Sequence, residues 1–192
     1  MTSRAAVPLL CLLVWMGVLA CSDGILPTDP SGASLSSVGR SAFGFNGEAR
    51  GFPTGVVRLT GGGSYAPANA SNVVPTETTS IVSGGGFDCS ETVAQGPLAG
   101  CQGGEGVRWD TAQLLASATF KCTGADAAKI ATTSTHTVVL LADFYRAGDG
   151  NNESFKAQMI VSDSDLAPEI LGIQTLWVQG VGCGVANGHF NG

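Results

Sequence analysis

The chain of 192 residues reads as an all-β protein. The expected architecture is a single, mainly antiparallel β-sandwich or barrel of about eight or nine strands, preceded by an N-terminal signal helix and a flexible tether. Three observations predict it. Short runs rich in Val, Ile, Thr, Phe and Tyr recur between clusters of Gly, Pro, Asn, Asp and Ser, the punctuation of strands and turns. Glycine supplies 28 residues while charged residues make up only 12%; the first is roughly twice and the second about half the usual share, which suits tight turns and a buried sheet rather than a charged helical surface. The third is one hairpin signal. Residues 138–145 (V-V-L-L-A-D-F-Y) form an apolar run. Residues 154–161 (S-F-K-A-Q-M-I-V) alternate, with Phe155, Ala157, Met159 and Val161 on one face. Between them lies R-A-G-D-G-N-N-E, dense in residues that tolerate positive φ and make Asx turns.

The N-terminus is an address. Arg4 is followed by an apolar stretch over residues 5–19, interrupted by Pro8 and Gly17 and ending in small residues. That is a signal peptide; a spanning helix needs about 20 apolar residues. The segment Val18-Leu19-Ala20-Cys21 resembles the lipobox of bacterial lipoproteins and departs from it at Leu19, where a smaller residue is more usual. The resemblance implies that Cys21 receives diacylglycerol, becomes the mature N-terminus and takes a further acyl chain such as palmitate. Several chains anchor stably where one does not, at about 0.8 kcal/mol per buried CH₂. Ser22, where an Asp would signal inner-membrane retention, implies outer-membrane routing if the source has two membranes. The expected organisation is therefore a signal peptide over 1–20, a lipidated N-terminus and linker over 21–41, and a β domain over 42–192. The linker (S-D-G-I-L-P-T-D-P-S-G-A-S and onward) has the Pro, Gly and Ser of a spacer.

Within the domain, a first strand is expected over residues 42–47, with Phe43 and Phe45 sharing a face. A second runs over 55–60 and ends or bulges at Gly61-Gly62-Gly63. A third runs over 78–83 and is followed by a second triplet, Gly84-Gly85-Gly86. Neither triplet is followed by the Lys and Ser/Thr of a phosphate loop, so both read as packing features. Gln95-Gly96-Pro97 marks a turn. Residues 110–122 alternate as one strand, with Leu114, Ala116, Ala118 and Phe120 inward and Leu115 outward. Residues 125–130 suit one helical turn. After the hairpin, an acidic loop leads to a penultimate strand over 172–179, a bend at 180–184 and a final strand over 185–191.

The net charge is −6; removing residues 1–20 takes Arg4 and no acid, leaving eight basic and fifteen acidic side chains, or −7. No basic cluster exists, so nucleic acid is not an expected partner. Cys11 leaves with the signal, and Cys21 is assigned to lipid. Cys89, Cys101, Cys122 and Cys183 remain, which reads as two disulfides in an exported chain. Of the three possible pairings we favour Cys89–Cys101 as a local clip and Cys122–Cys183 as a long-range tie. Zinc would want a Cys-x-x-Cys pair that is absent.

Trp109 among charges, with Tyr145 and Trp177, is the candidate ligand-binding set, suited to stacking a sugar. Asp149, Asn151 and Glu153 are weak candidates for a structural Ca²⁺. No other cofactor is expected. Glu48, Glu105, Asp110 and Asp143 supply carboxylates, but their spacing selects no pair. His136 and His189 have no G-x-S-x-G elbow to serve. The last third, with A-D-F-Y-R-A-G-D-G-N-N-E-S-F-K and G-V-G-C-G, resembles Gly-rich all-β domains of exported bacterial proteins of unassigned function. That resemblance brings no catalytic residues. The expectation is a non-enzymatic, membrane-anchored envelope or surface protein with a structural role or a binding role toward an unknown ligand or envelope protein. The alternatives are a carbohydrate-binding or carbohydrate-cleaving domain built on Trp109 and nearby acids, and a ligand-carrying barrel.

Overall fold

The computed structural model describes residues 39–51, 55–75, 80–145 and 154–192. Cys21 with the signal and the tether up to residue 38, and Asp149, Asn151 and Glu153, lie outside the described residues; the expected linker overlaps the first strand at Ser41.

Ten strands are described: β1 (Ser41–Arg50), β2 (Val56–Tyr65), β3 (Ile81–Glu91), β4 (Arg108–Leu114), β5 (Ser117–Phe120), β6 (Lys129–Thr132), β7 (Thr137–Tyr145), β8 (Ser154–Ser162), β9 (Leu176–Val178) and β10 (Gly182–Asn191). Eight of them close into an antiparallel barrel in the order β1-β10-β9-β8-β7-β4-β3-β2, and β5 pairs with β6 in a separate two-stranded sheet. The seam joins the first strand to the last, from Ala42 opposite Asn191 to Arg50 opposite Cys183.

An eight-stranded barrel encloses a space that side chains just fill. Here Phe43, Phe45, Leu59, Tyr65, Phe87, Trp109, Leu140, Phe144 and Met159 fill it, all buried. The β7–β8 hairpin has the predicted face: Ala157, Met159 and Val161 are in the core and Phe155 packs against it. Phe144 stacks on Phe155 at 5.9 Å and meets Phe87 edge-on at 5.0 Å. Phe43 and Phe45 also point inward together.

The glycine triplets do not end their strands. β2 and β3 run through them, with Gly61 opposite Gly85 and Gly62 opposite Gly84. The reason is the largest interior side chain. A methyl group on Gly61 would sit 2.5 Å from Cζ2 of Trp109 and 2.6 Å from the Gly84 carbonyl oxygen. The strand gives up side chains so that the indole fits, and the indole N–H donates to the Thr60 carbonyl at 3.0 Å. The irregularity in β2 lies instead at Val56/Val57.

Residues 110–122 are not one strand. A register shift between Thr111 and Gln113 inserts a bulge in β4. Strict alternation would put Trp109 and Leu114 on opposite faces; the extra residue resets the parity, and both are buried in the barrel. The chain then leaves the barrel. Leu115, predicted outward, is buried in a second core outside the sheet with Ala118, Phe120, Cys122, Ala125 and Ala131. These residues cover Val139, Ile160 and Trp177, the outward-facing apolar side chains of β7, β8 and β9. Residues 125–130 contain a turn, with Ala125 N–H bonded to the Cys122 carbonyl, and then β6 rather than a helical turn. The penultimate strand shortens to three residues, because Asp165 Oδ1 accepts from the N–H of Gln174 and of Ala167 and holds that segment in a loop.

Candidate functional site

Both disulfides form with the favoured pairing. Cys89–Cys101 spans 12 residues and clips the loop after β3. Cys122–Cys183 spans 61 residues and ties the outer layer to β10. The second bond marks the candidate site, because a groove lies on each side of it.

The first groove, about 720 Å³, runs between β1–β10 and the 169–174 loop. Its wall is ionic: Glu48 bridges Arg50 at 2.5 Å and Arg58 at 3.1 Å. Glu169 is paired with Lys129, whose hydrogen bond holds the carboxyl below its ordinary range. Leu171 and Ile173 stand exposed on the same loop.

The second groove, about 670 Å³, is lined by Gln95, the 119–125 segment, Ala128, Trp177 and Gly180, Val181 and Gly182. Phe120 and Trp177 lie in it with ring centroids 6.1 Å apart and planes tilted by 57°. One wall is bare backbone. Gly180 and Gly182 have φ of 81° and 124°, which favour glycine. A methyl on Gly180 would fall 2.6 Å from the Gly96 Cα, so the 178–182 turn is wedged against the predicted turn at Gly96. The groove is thus built on rigid parts. Lys121 is the charged side chain on its rim, and its ammonium donates to the Asp126 carbonyl at 3.3 Å.

The structure separates the three predicted aromatic ligands. Trp109 is fully buried inside the barrel and offers no face to a sugar, which corrects its place in the candidate set. Its flanking charges misled because alternation sends Arg108 and Asp110 outward and the indole inward. Trp177 lies in the second groove with only 6% of its surface exposed. Tyr145 lies on the outer face of β7, with the Arg108 guanidinium 4.4 Å from its ring centroid. Beside that pair, Asp110 and Asp143 are direct register partners, and Asp143 also faces Lys156. Cross-strand partners bring their Cβ atoms to about 4.5–5.5 Å. Spacing in sequence could not select this pair; register does. Arg108 bonds Asp110 at 3.3 Å, and Asp143 Oδ1 is buried with no hydrogen-bond partner among the described residues.

His136 and Asp163 form a hydrogen-bonded pair, Nδ1 to Oδ2 at 2.7 Å. The nearby Ser164 hydroxyl donates to the Asp163 carboxylate, so it is bound to the acid and not to the imidazole that would activate it. Tyr65 at this end of the barrel donates to the Ser134 carbonyl at 2.7 Å, and burial pushes its phenol up to about 12. His189 is exposed, with its imidazole over Gly44. Among the described residues no group of three or more His, Cys, Asp or Glu is placed to hold a metal ion.

Trp177 and the Cys122–Cys183 bond are legible in the sequence, whereas the roles of Phe120, Lys121 and the 180–182 wall in the groove are not. Their proximity comes from the outer layer folding back over β9, which no local pattern announces. Compared with protein-family models, with curated proteins and with solved structures, the chain finds no match.

Proposed function

We propose that this chain is an exported, lipid-anchored envelope or surface protein whose β-barrel has a non-enzymatic structural or binding role. The observation that carries the reading is Val18-Leu19-Ala20-Cys21 at the end of a short apolar segment, followed by a Pro/Gly/Ser-rich stretch and then the barrel. Two disulfides support an oxidising compartment, since such bonds persist outside the cytosol. The filled barrel interior favours binding on the outer surface over carriage of a ligand inside. The grooves beside Cys122–Cys183 are the surface we assign to that role.

The test is an intact-mass spectrum of the protein from its native host, without reductant, together with membrane fractionation. The expected result is a chain starting at Cys21, carrying added acyl mass and lacking four hydrogens for two disulfides, found in the membrane and released by Cys21→Ser. An unmodified chain in the cytosol would overturn the reading.

A second reading, a carbohydrate-binding or carbohydrate-cleaving surface, keeps Tyr145 and gains the Asp110–Asp143 pair, though without Trp109. It expects retention on a polysaccharide column that Tyr145→Ala weakens; equal retention of the variant removes it.

A further inference from the structure

We infer that the groove between the 119–125 segment and the 180–182 turn binds a small carboxylate with an aromatic or aliphatic body. This deepens the binding half of the proposed function and is independent of the lipid anchor.

At about 670 Å³ the groove falls within the ~300–1,000 Å³ range of small-molecule sites, which are mostly apolar with a few placed polar groups. Phe120, Trp177, Ala125 and Ala128 supply apolar lining, and Gly180 and Gly182 contribute backbone. The walls are fixed before any ligand arrives. Cys122, in the 119–125 segment, is bonded to Cys183 on β10, and the glycine turn is wedged against Gly96. A preformed wall spares the ligand the cost of ordering it.

Charge then selects the ligand. Lys121 is the one charged side chain that lines the groove among the described residues. An ammonium has three donors, and the Asp126 carbonyl takes one, so two remain that a carboxylate can use. The chain as a whole is acidic, with a net charge of −6. Its general field therefore draws cations and repels anions. A preference for an anion at this groove can come only from a local positive group, so the sign of the preference is itself diagnostic.

The experiment compares 1-naphthoate with 1-naphthylmethylamine, which share a ring system and differ in charge, by titration calorimetry on the purified protein. The same titrations are followed through the indole N–H resonances. Trp109, sealed in the barrel and bonded to Thr60, is the internal control for Trp177. We expect naphthoate to bind at least tenfold more tightly than the amine and to shift the Trp177 resonance while Trp109 stays. Lys121→Gln should remove most of the difference between the two probes. Ala128→Trp, a change at an exposed position, should weaken both by filling the groove. Equal affinities for the two probes, no binding up to millimolar concentration, or binding untouched by Ala128→Trp would overturn the inference. A protein that lacks acyl groups yet discriminates the probes would leave it standing while removing the anchor; an acylated protein that binds neither would do the reverse.

Discussion

Replacing Gly61 with alanine tests whether the triplet exists to seat Trp109. In an open strand the change should help. Alanine has less freedom to lose from the unfolded chain, which stabilises by about 0.4–1 kcal/mol where the native conformation allows it. At Gly61 the added methyl meets Cζ2 of Trp109 at 2.5 Å and the Gly84 oxygen at 2.6 Å. Both distances are closer than carbon contacts tolerate, and the neighbours are an indole buried among core rings and the backbone of the paired strand. Overpacking of this kind costs about 1–3 kcal/mol. For a domain of this size each kcal/mol moves the melting temperature by about 2–4 °C, so a loss of roughly 2 kcal/mol should lower it by about 4–8 °C. Gly86 is the matched control. It lies in the other triplet, pairs with Thr60, and a methyl there meets the Thr60 hydroxyl at 3.2 Å and, at ordinary contact distance, the Val107 carbonyl oxygen at 3.7 Å. Gly86→Ala should shift the melting temperature little. Urea denaturation of Gly61→Ala, Trp109→Phe and the double variant completes the cycle. Phenylalanine removes the ring edge but not the Gly84 oxygen, so the relief is partial, with a coupling of about 1 kcal/mol. A Gly61→Ala variant as stable as Gly86→Ala, or two single effects that simply add, would show that the triplet does not serve to seat the indole.

Three further outcomes follow from the same geometry. Removing Cys122–Cys183 as a double serine variant should cost more than removing Cys89–Cys101, about 4 against about 3 kcal/mol from loops spanning 61 and 12 residues, read by denaturant midpoints; the reverse order would show that the outer layer holds itself in place. Thr175→Val keeps the shape of a buried side chain but strips the hydroxyl that accepts from the Ala186 N–H at 2.8 Å and donates to its carbonyl at 3.0 Å, so a loss of about 1–3 kcal/mol is expected in thermal melts, and a neutral result would mean water replaces it. The Tyr65 phenol, raised from 10.0 to about 12 by burial, stays protonated in the folded chain while the unfolded chain ionises, so stability is full below pH 10 and falls between about pH 10 and 12; alkaline melts of Tyr65→Phe should lack that fall, and an unchanged fall would assign it elsewhere.

Local patterns carried much of the fold because they depend on neighbours in sequence. The alternation from Phe155 to Val161 and the Phe43–Phe45 face are set by the two-residue period of a strand, and both face inward as read. What failed were features decided by distant partners. The glycine triplets read correctly as close packing, but the strand ends expected at Thr60 and Ser83 do not exist: β2 and β3 run through, with Gly61 opposite Gly85 and the Trp109 indole against Gly61. Leu115 and Phe120 seemed to face opposite ways on one strand; a bulge and a change of layer put both in the second core. Trp109 looked exposed because its neighbours are charged, and a strand places such neighbours on the other face. The candidate groove was half visible, in Trp177 and the cysteines, since four cysteines in an even set announce two disulfides while the wall that such a bond brings close has no local signature.

The seam between β1 and β10 has a consequence for how the chain comes into being. Synthesis proceeds from the N-terminus, so β1 appears first among the described strands and its partner β10 last. Until residues 182–191 arrive, β1 has one free edge and β9 another, and such edges invite pairing with other chains. The contacts that remove them join opposite ends of the domain, the slowest kind to form. A barrel sewn shut by its final strand is therefore exposed to proteases and to misassembly for most of its synthesis and protected from both at the end. Loss of the last ten residues would do more than shorten the protein: it would keep that early, open-edged state for good.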